Sequence, residues 1–173
     1  MCRCAGPGAV FLEKEPEGNA GDVQRARRDG RRKADVPRRL ERRRGIIPAS
    51  GFFEGTDEAD GTQPHLFTVA DGSPILAFAG LWDRWIDPAS KEEILSCTII
   101  VSGASEWMTP YHDRMPVLLR AEDFDAWLNG SLGTDALRPA AESALREWPV
   151  SRRVNRAGVG EDDPTIIERV GAA

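Results

Sequence analysis

The 173-residue sequence predicts an α+β fold dominated by antiparallel sheets. Three observations support this. The apolar segments are short and bounded by clusters of Gly, Pro, Asp and Ser, as strands are. Only two or three stretches carry helical spacing, and they fall between the strand-like runs. The repeated strand-helix order that builds a parallel sheet is missing. At this length the chain is expected to form one domain, residues 1–173, with a change of character near Gly45 from Gly- and Arg-rich to strand-rich.

Pro37 to Arg44 predicts a short helix, because Pro is tolerated in a first turn. Ile46 to Glu54 is apolar but broken by Pro48 and Gly51, which predicts a strand with a bend. Pro64 to Ala70 and Ile75 to Trp82 flank the turn cluster Asp71, Gly72, Ser73 and Pro74, the pattern of a hairpin. Ile94 to Val101 is rich in β-branched residues and reads as another strand. Ser102 to Pro110 reads as a short helical or irregular crossing. Phe124, Trp127 and Leu128 recur at helical spacing, predicting a helix over Glu122 to Leu128. Ala140 to Trp148, opened by Pro139, reads as a second helix, with Val150 to Val154 and Thr165 to Val170 as closing strands.

Composition narrows the function. Hydrophobic residues at 40% and charged residues at 29% are ordinary for a globular chain. The longest apolar runs, Ile75 to Trp82 and Cys97 to Val101, fall far short of the ~20 residues of a membrane helix. No apolar leader follows Arg3, so a cytoplasmic protein with reduced thiols is expected. Cys2, Cys4 and Cys97 lack the spacing of a metal knuckle, and only His65 and His112 could join them, so neither metal nor cofactor is expected. A monomer is the expected state.

Charge is distributed unevenly. Between Asp22 and Arg44 stand ten arginines and Lys33 against four carboxylates, a local +7 in a chain whose net charge is −5. Clustered arginines, Arg25 and Arg27 among them, supply salt-sensitive affinity for phosphates. The alternative is a solvated charge run.

Three groups of residues can carry chemistry. Loss of Met1 would leave Cys2 with an α-amine and a thiol on one residue. An α-amine with a pKa of about 7.7–8.0 is partly neutral at physiological pH and can attack an aldehyde, after which the thiolate closes a five-membered thiazolidine. The alternative is an undistinguished terminus. In Tyr111-His112-Asp113-Arg114-Met115-Pro116, an imidazole able to shuttle protons stands beside a guanidinium able to grip phosphate. His112 could equally be a turn histidine and Arg114 an ion-pair partner of Asp113. In Gly51-Phe52-Phe53-Glu54 a carboxylate emerges from an aromatic run, either as a usable acid or as a strand-end Glu facing solvent. Trp82 and Trp85 suit base stacking or, more often at such density, a core. Cys97 reads as a small buried hydrophobe and His65 as an ordinary strand residue.

Taken in order, these residues resemble the SOS response-associated peptidase (SRAP) family, also called abasic site processing proteins. The resemblance lies in Met1-Cys2, in Arg42 through Glu54 (RRRGIIPASGFFE), in Phe78 to Trp82, in Ser96 to Ile100, in His112 to Val117, and in Trp127-Leu128 and Val154-Asn155. It covers roughly residues 42–170; residues 1–41 are Arg-rich and divergent, and the N-terminal part is shortened. Arg25-Ala26-Arg27 is the nearest counterpart of an Asn-Ala-Arg element, and Gly55 stands where a Trp is usual. The resemblance implies a β-rich open barrel with a positively charged cleft for single-stranded DNA. It implies that Cys2 forms a thiazolidine with the aldehyde of an abasic site, that Glu54 and His112 move protons, and that Arg114 holds a phosphate, without a metal. Arg25, Arg27 and Trp82 would complete the DNA contacts. A catalytically silent single-stranded DNA binder and a Cys/His thiol peptidase are the alternatives.

Overall fold

Phenylalanines on facing strands bring two sheets together at the centre of the molecule. A computed structural model describes residues 10–11, 40–156 and 163–171, and its architecture is α+β, β-rich and mainly antiparallel. The first sheet has the order β1-β3-β4-β9, built from Val10–Phe11, Phe52–Glu58, Gly61–Val69 and Leu145–Pro149. The second has the order β2-β5-β6, from Arg44–Ala49, Leu76–Ile86 and Glu93–Ile99. A small ribbon pairs β7 (Val101–Gly103) with β8 (Arg114–Pro116). The β1–β3 pairing is parallel and the other ladders are antiparallel.

Strand alternation sorts the apolar residues between three clusters. Phe52 stacks on its cross-strand partner Phe67, ring centroids 5.0 Å apart, and meets Phe78 of the second sheet edge-on at 6.0 Å. With Leu76, Met108, Met115 and Leu145 these rings form the layer between the sheets. Phe53 and Leu66, on the opposite face of the first sheet, pack with Val150, Val154 and Ile166. Ala79 and Leu81, on the far face of the second sheet, pack with Val117 and the fully buried Trp127. Trp127 belongs to helix α1 (Phe124–Leu128), which a 3-10 turn at Ala121–Asp123 leads into; together they account for the helix expected over Glu122 to Leu128.

Several sequence expectations change at this level. The apolar stretch Ile46 to Glu54 is two strands in different sheets, parted at Ser50-Gly51. A Cβ at Gly51 would stand 2.7 Å from the Phe67 carbonyl oxygen, so only glycine lets β3 start this close to β4. The turn after Val69 exists, with the Ser73 amide donating to Asp71 Oδ1 at 2.8 Å and Gly72 at φ +83°, yet β4 and β5 do not pair. The chain crosses there from one sheet to the other. Residues 140–148 are not a helix: Glu142–Ala144 make one 3-10 turn and Leu145–Pro149 pair with β4. Alternation explains this, since Leu145 joins the inter-sheet layer while Trp148 packs on the opposite side. The expected closing strands are 3-10 turns at Arg152–Asn155 and Pro164–Ile167, joined by a single Val150–Arg169 bridge. Of the helix expected over Pro37 to Arg44, residues 40–42 are helical and 37–39 lie outside the described residues. Among the described residues no helix is long and apolar enough to cross a membrane.

Candidate active site

Glu54 lies two residues beyond Phe52 on β3 and therefore on the same face, the one turned toward the inter-sheet layer. Directly opposite it on β4 is His65. Cross-strand partners of this kind hold their Cβ atoms about 4.5–5.5 Å apart. The Glu54 carboxylate thus emerges half-buried at the border of the Phe52–Phe67 stack rather than at a solvent-facing strand end.

His65 is more than an ordinary strand residue. Its Nδ1 lies 2.7 Å from Glu147 Oε2 on β9, and its Nε2 lies 3.4 Å from Thr56 Oγ1. The assignment that satisfies both is Nδ1–H donating to the carboxylate and the Thr56 hydroxyl donating to Nε2. Tyr111 packs edge-on against both His65 and Phe67, each at 5.0 Å between centroids. Burial first, then the Glu147 charge and a hydrogen bond to it, raise the Tyr111 hydroxyl above its ordinary pKa.

Tyr111 belongs to the loop that joins β7 to β8, and this loop carries the His112-Asp113-Arg114 motif. The Ala104 amide donates to the Asp113 carbonyl at 3.0 Å and closes the loop. Met108 and Met115, both fully buried, anchor its underside. His112 Nδ1 accepts the Arg114 amide at 2.9 Å and also lies 2.9 Å from Asp113 Oδ1. One nitrogen cannot accept and donate at once. The neutral ring accepts from Arg114 and keeps its hydrogen on Nε2, whereas the protonated ring donates Nδ1–H to Asp113. Both protonation states therefore find a partner without moving the loop, which suits a proton carrier. The Arg114 guanidinium is exposed, and its Nε stays 3.9 Å from the Asp113 carboxylate, close enough for a loose pair and free enough to meet a phosphate.

Of the expected site residues, Glu54 and the His112 loop belong to one neighbourhood, linked by the contact of Tyr111 with His65. Cys2, Arg25 and Arg27 lie outside the described residues. Trp82 and Trp85 are not core: they are 41% and 53% exposed. Cys97 is also exposed, directly across from Trp82 on β6, because the outer half of the β5–β6 ladder has no further layer on it among the described residues. Two arginines of the basic stretch are engaged within the fold. Arg44 lies over the Trp127 ring at 4.4 Å and donates to the Leu132 carbonyl at 2.6 Å; Arg43 pairs with Asp83 and lies over Trp82 at 5.4 Å. The His65–Glu147–Tyr111 group was not legible in the sequence because its members stand up to 82 residues apart and meet only through strand pairing and the β7–β8 loop; the sole local hint was a histidine at the inward phase of β4.

The chain is similar to known proteins in both sequence and fold. The profile of the SOS response associated peptidase (SRAP) family matches residues 16–157. Abasic site processing protein YoqW of Bacillus subtilis is 33% identical over 135 residues, covering 75% of this chain and 58% of its own length. Abasic site processing protein YedK of Escherichia coli is 31% identical over 117 residues, covering 64% and 51%. The chain thus spans little more than half the length of these relatives. A crystal structure of a protein from Bacteroides thetaiotaomicron shares the fold, with a TM-score of 0.73 at 24% identity over 95% of this chain and 75% of that one. Another, from Bordetella bronchiseptica, has a TM-score of 0.61 at 25% identity over 79% and 72%. With the family profile spanning most of the chain, this protein belongs to the SRAP family.

Proposed function

We propose that the protein processes abasic sites in single-stranded DNA by forming a covalent cross-link through Cys2. The observation that carries this reading is that Glu54, on the inward face of β3, stands opposite His65, against which packs Tyr111 of the loop that bears His112 and an exposed Arg114. Family membership supports it, since the relatives matched are named abasic site processing proteins.

In the reaction, removal of Met1 exposes the Cys2 α-amine. The amine attacks C1′ of the ring-opened sugar aldehyde, and the carbinolamine loses water to give an imine. The Cys2 sulfur then adds to the same carbon and closes the thiazolidine, so that aldehyde and aminothiol give one ring and one water. Glu54, beside an aromatic stack, donates a proton to the departing ring oxygen and takes it back on reversal. His112 carries the proton released by the amine. Arg114 holds a flanking phosphate, and Trp82 offers a stacking surface for a base. Arg25 and Arg27 add phosphate contacts.

The test is incubation of the purified protein with an oligonucleotide bearing one abasic site, followed by denaturing electrophoresis. Wild type is expected to give a denaturant-stable adduct that Cys2→Ala abolishes and Glu54→Gln slows by at least ~100-fold, the lower range for a lost acid–base group. An adduct that forms equally well with Cys2→Ala contradicts the proposal, and an intact mass retaining Met1 contradicts it as well.

A further inference from the structure

The reaction proposed above uses Glu54 and His112 and leaves the group beneath them unassigned. Three polar side chains from three separate elements meet there: His65 of β4, Glu147 of β9, and Tyr111 of the β7–β8 loop. Each polar atom of the His65 ring is already engaged. Nδ1 is held by Glu147 at 2.7 Å, Nε2 faces Thr56 at 3.4 Å, and the ring face receives Tyr111. The side chain is only 14% exposed. A ring so enclosed has no free nitrogen to offer a DNA strand. What it does offer is a fixed platform under the residue adjacent to His112.

Tyr111 is held on that platform by ring contacts to His65 and Phe67, each at 5.0 Å between centroids. Trp107 and the buried Met108 seat the start of the loop in the core, and the amides of Tyr111 and His112 both return to the Met108 carbonyl, at 2.9 and 3.1 Å. These fix the first half of the loop, whereas its His112 end is tied by those local amide bonds and by Tyr111. Next to His112 itself, the link to β4 is Tyr111, and Glu147 orients the histidine on which the tyrosine rests.

We infer that His65, clamped by Glu147, is a positioning residue: through Tyr111 it fixes the His112 loop above the strand that bears Glu54. This rests on the cross-linking function proposed above. His65 touches neither DNA nor the reacting carbon. Its effect is on the geometry of proton transfer, where a displacement of about 1 Å costs on the order of 100-fold in rate. The rate of the covalent step therefore depends on the clamp, whereas DNA affinity, set by exposed arginines and Trp82, does not.

The experiment uses the full chain with wild type, His65→Phe, His65→Asn and Glu147→Gln. Phenylalanine keeps the ring but loses the bond to Glu147, while asparagine places an N–H close to where Nδ1–H stood. Single-turnover adduct formation is measured at saturating abasic oligonucleotide, and affinity is measured separately with an undamaged strand. The expected result is a rate lowered about tenfold or more in His65→Phe and Glu147→Gln at unchanged affinity, with His65→Asn recovering most of it. Wild-type rates in His65→Phe and Glu147→Gln overturn the inference, as does His65→Asn performing no better than His65→Phe, or affinity falling in step with rate. Should His65→Phe fail to fold, the rate of Glu147→Gln decides alone. Should wild type form no adduct, the cross-linking function fails by itself, and amide exchange over residues 104–113 decides the clamp: exchange faster in His65→Phe and restored in His65→Asn upholds it, and unchanged exchange overturns it.

Discussion

Strand β5 is two strands in one. Its inner half, Leu76 to Leu81, is sandwiched between the inter-sheet layer and the Trp127 cluster, so Phe78 and Ala79 are fully buried on opposite faces. Its outer half, Trp82 to Ile86, carries no covering layer among the described residues, and Trp82, Trp85 and Ile86 stand exposed. The outer half adds Asp83 and Arg84, yet both halves carry large apolar side chains. What differs is whether a second element lies across them. An aromatic on the inner half is a stability residue, and one on the outer half is available for contact.

The largest test of that contrast is thermodynamic. Phe78→Ala is expected to cost about 3–5 kcal/mol in denaturant unfolding, because it empties a site enclosed on every side. Trp85→Ala, on the outer half, is expected to cost no more than about 1 kcal/mol, the span of strand propensity. Similar losses for the two would mean that the outer half is covered after all. A second test exchanges stability for binding. Trp82→Ala is expected to weaken binding to single-stranded DNA by about 1–3 kcal/mol, the worth of one stacked base, while unfolding shifts by no more than the ~0.5–1 kcal/mol of its contact with Arg43. Binding unaffected by this change would return Trp82 to a structural role.

This contrast also marks how far the sequence could be read. The β-branched and aromatic runs announced strands because strand propensity is written locally, and Phe124, Trp127 and Leu128 announced α1 by their spacing. Which strands pair is decided by partners far along the chain. The turn at Asp71 to Pro74 is chemically sound yet joins two sheets instead of two paired strands. Likewise Leu145 to Trp148 suited a helix until β4 offered a ladder, and Cys97 suited a core, yet it stands exposed on β6. Glu54 and His112 were legible as types at fixed motif positions. Their link through His65 and Tyr111 was not, since it needs three strands and a loop to assemble first.

Smaller effects come from titration. The Tyr111 pKa is raised in the fold, so the stability gained by keeping its hydroxyl protonated is full below about pH 10 and is lost as pH rises through the folded value. Alkaline unfolding curves of Tyr111→Phe are expected to lack that part of the fall; a curve with the wild-type slope would remove the burial and Glu147 contacts as its cause. Smaller again is the Arg152 clamp on Asp60, at 2.7 Å on the exposed rim. The guanidinium hydrogen bond holds Asp60 below the ordinary carboxylate range, so its contribution is present above about pH 4 and lost on acidification. Asp60→Asn is expected to lower stability slightly above about pH 4 and to match wild type in stronger acid, so that its stability falls less on acidification; an equal fall in both proteins would remove the Arg152 contact as its cause.

The most direct measurement is the attachment point of an abasic strand, read by peptide mass mapping of the cross-linked protein. Cys97 serves as an internal competitor, being an exposed thiol beside Trp82 without an α-amine of its own. The expected result is DNA mass on the N-terminal peptide alone, at Cys2, with loss of one water. DNA found at Cys97 or on a lysine, with the N-terminal peptide unmodified, would contradict the account.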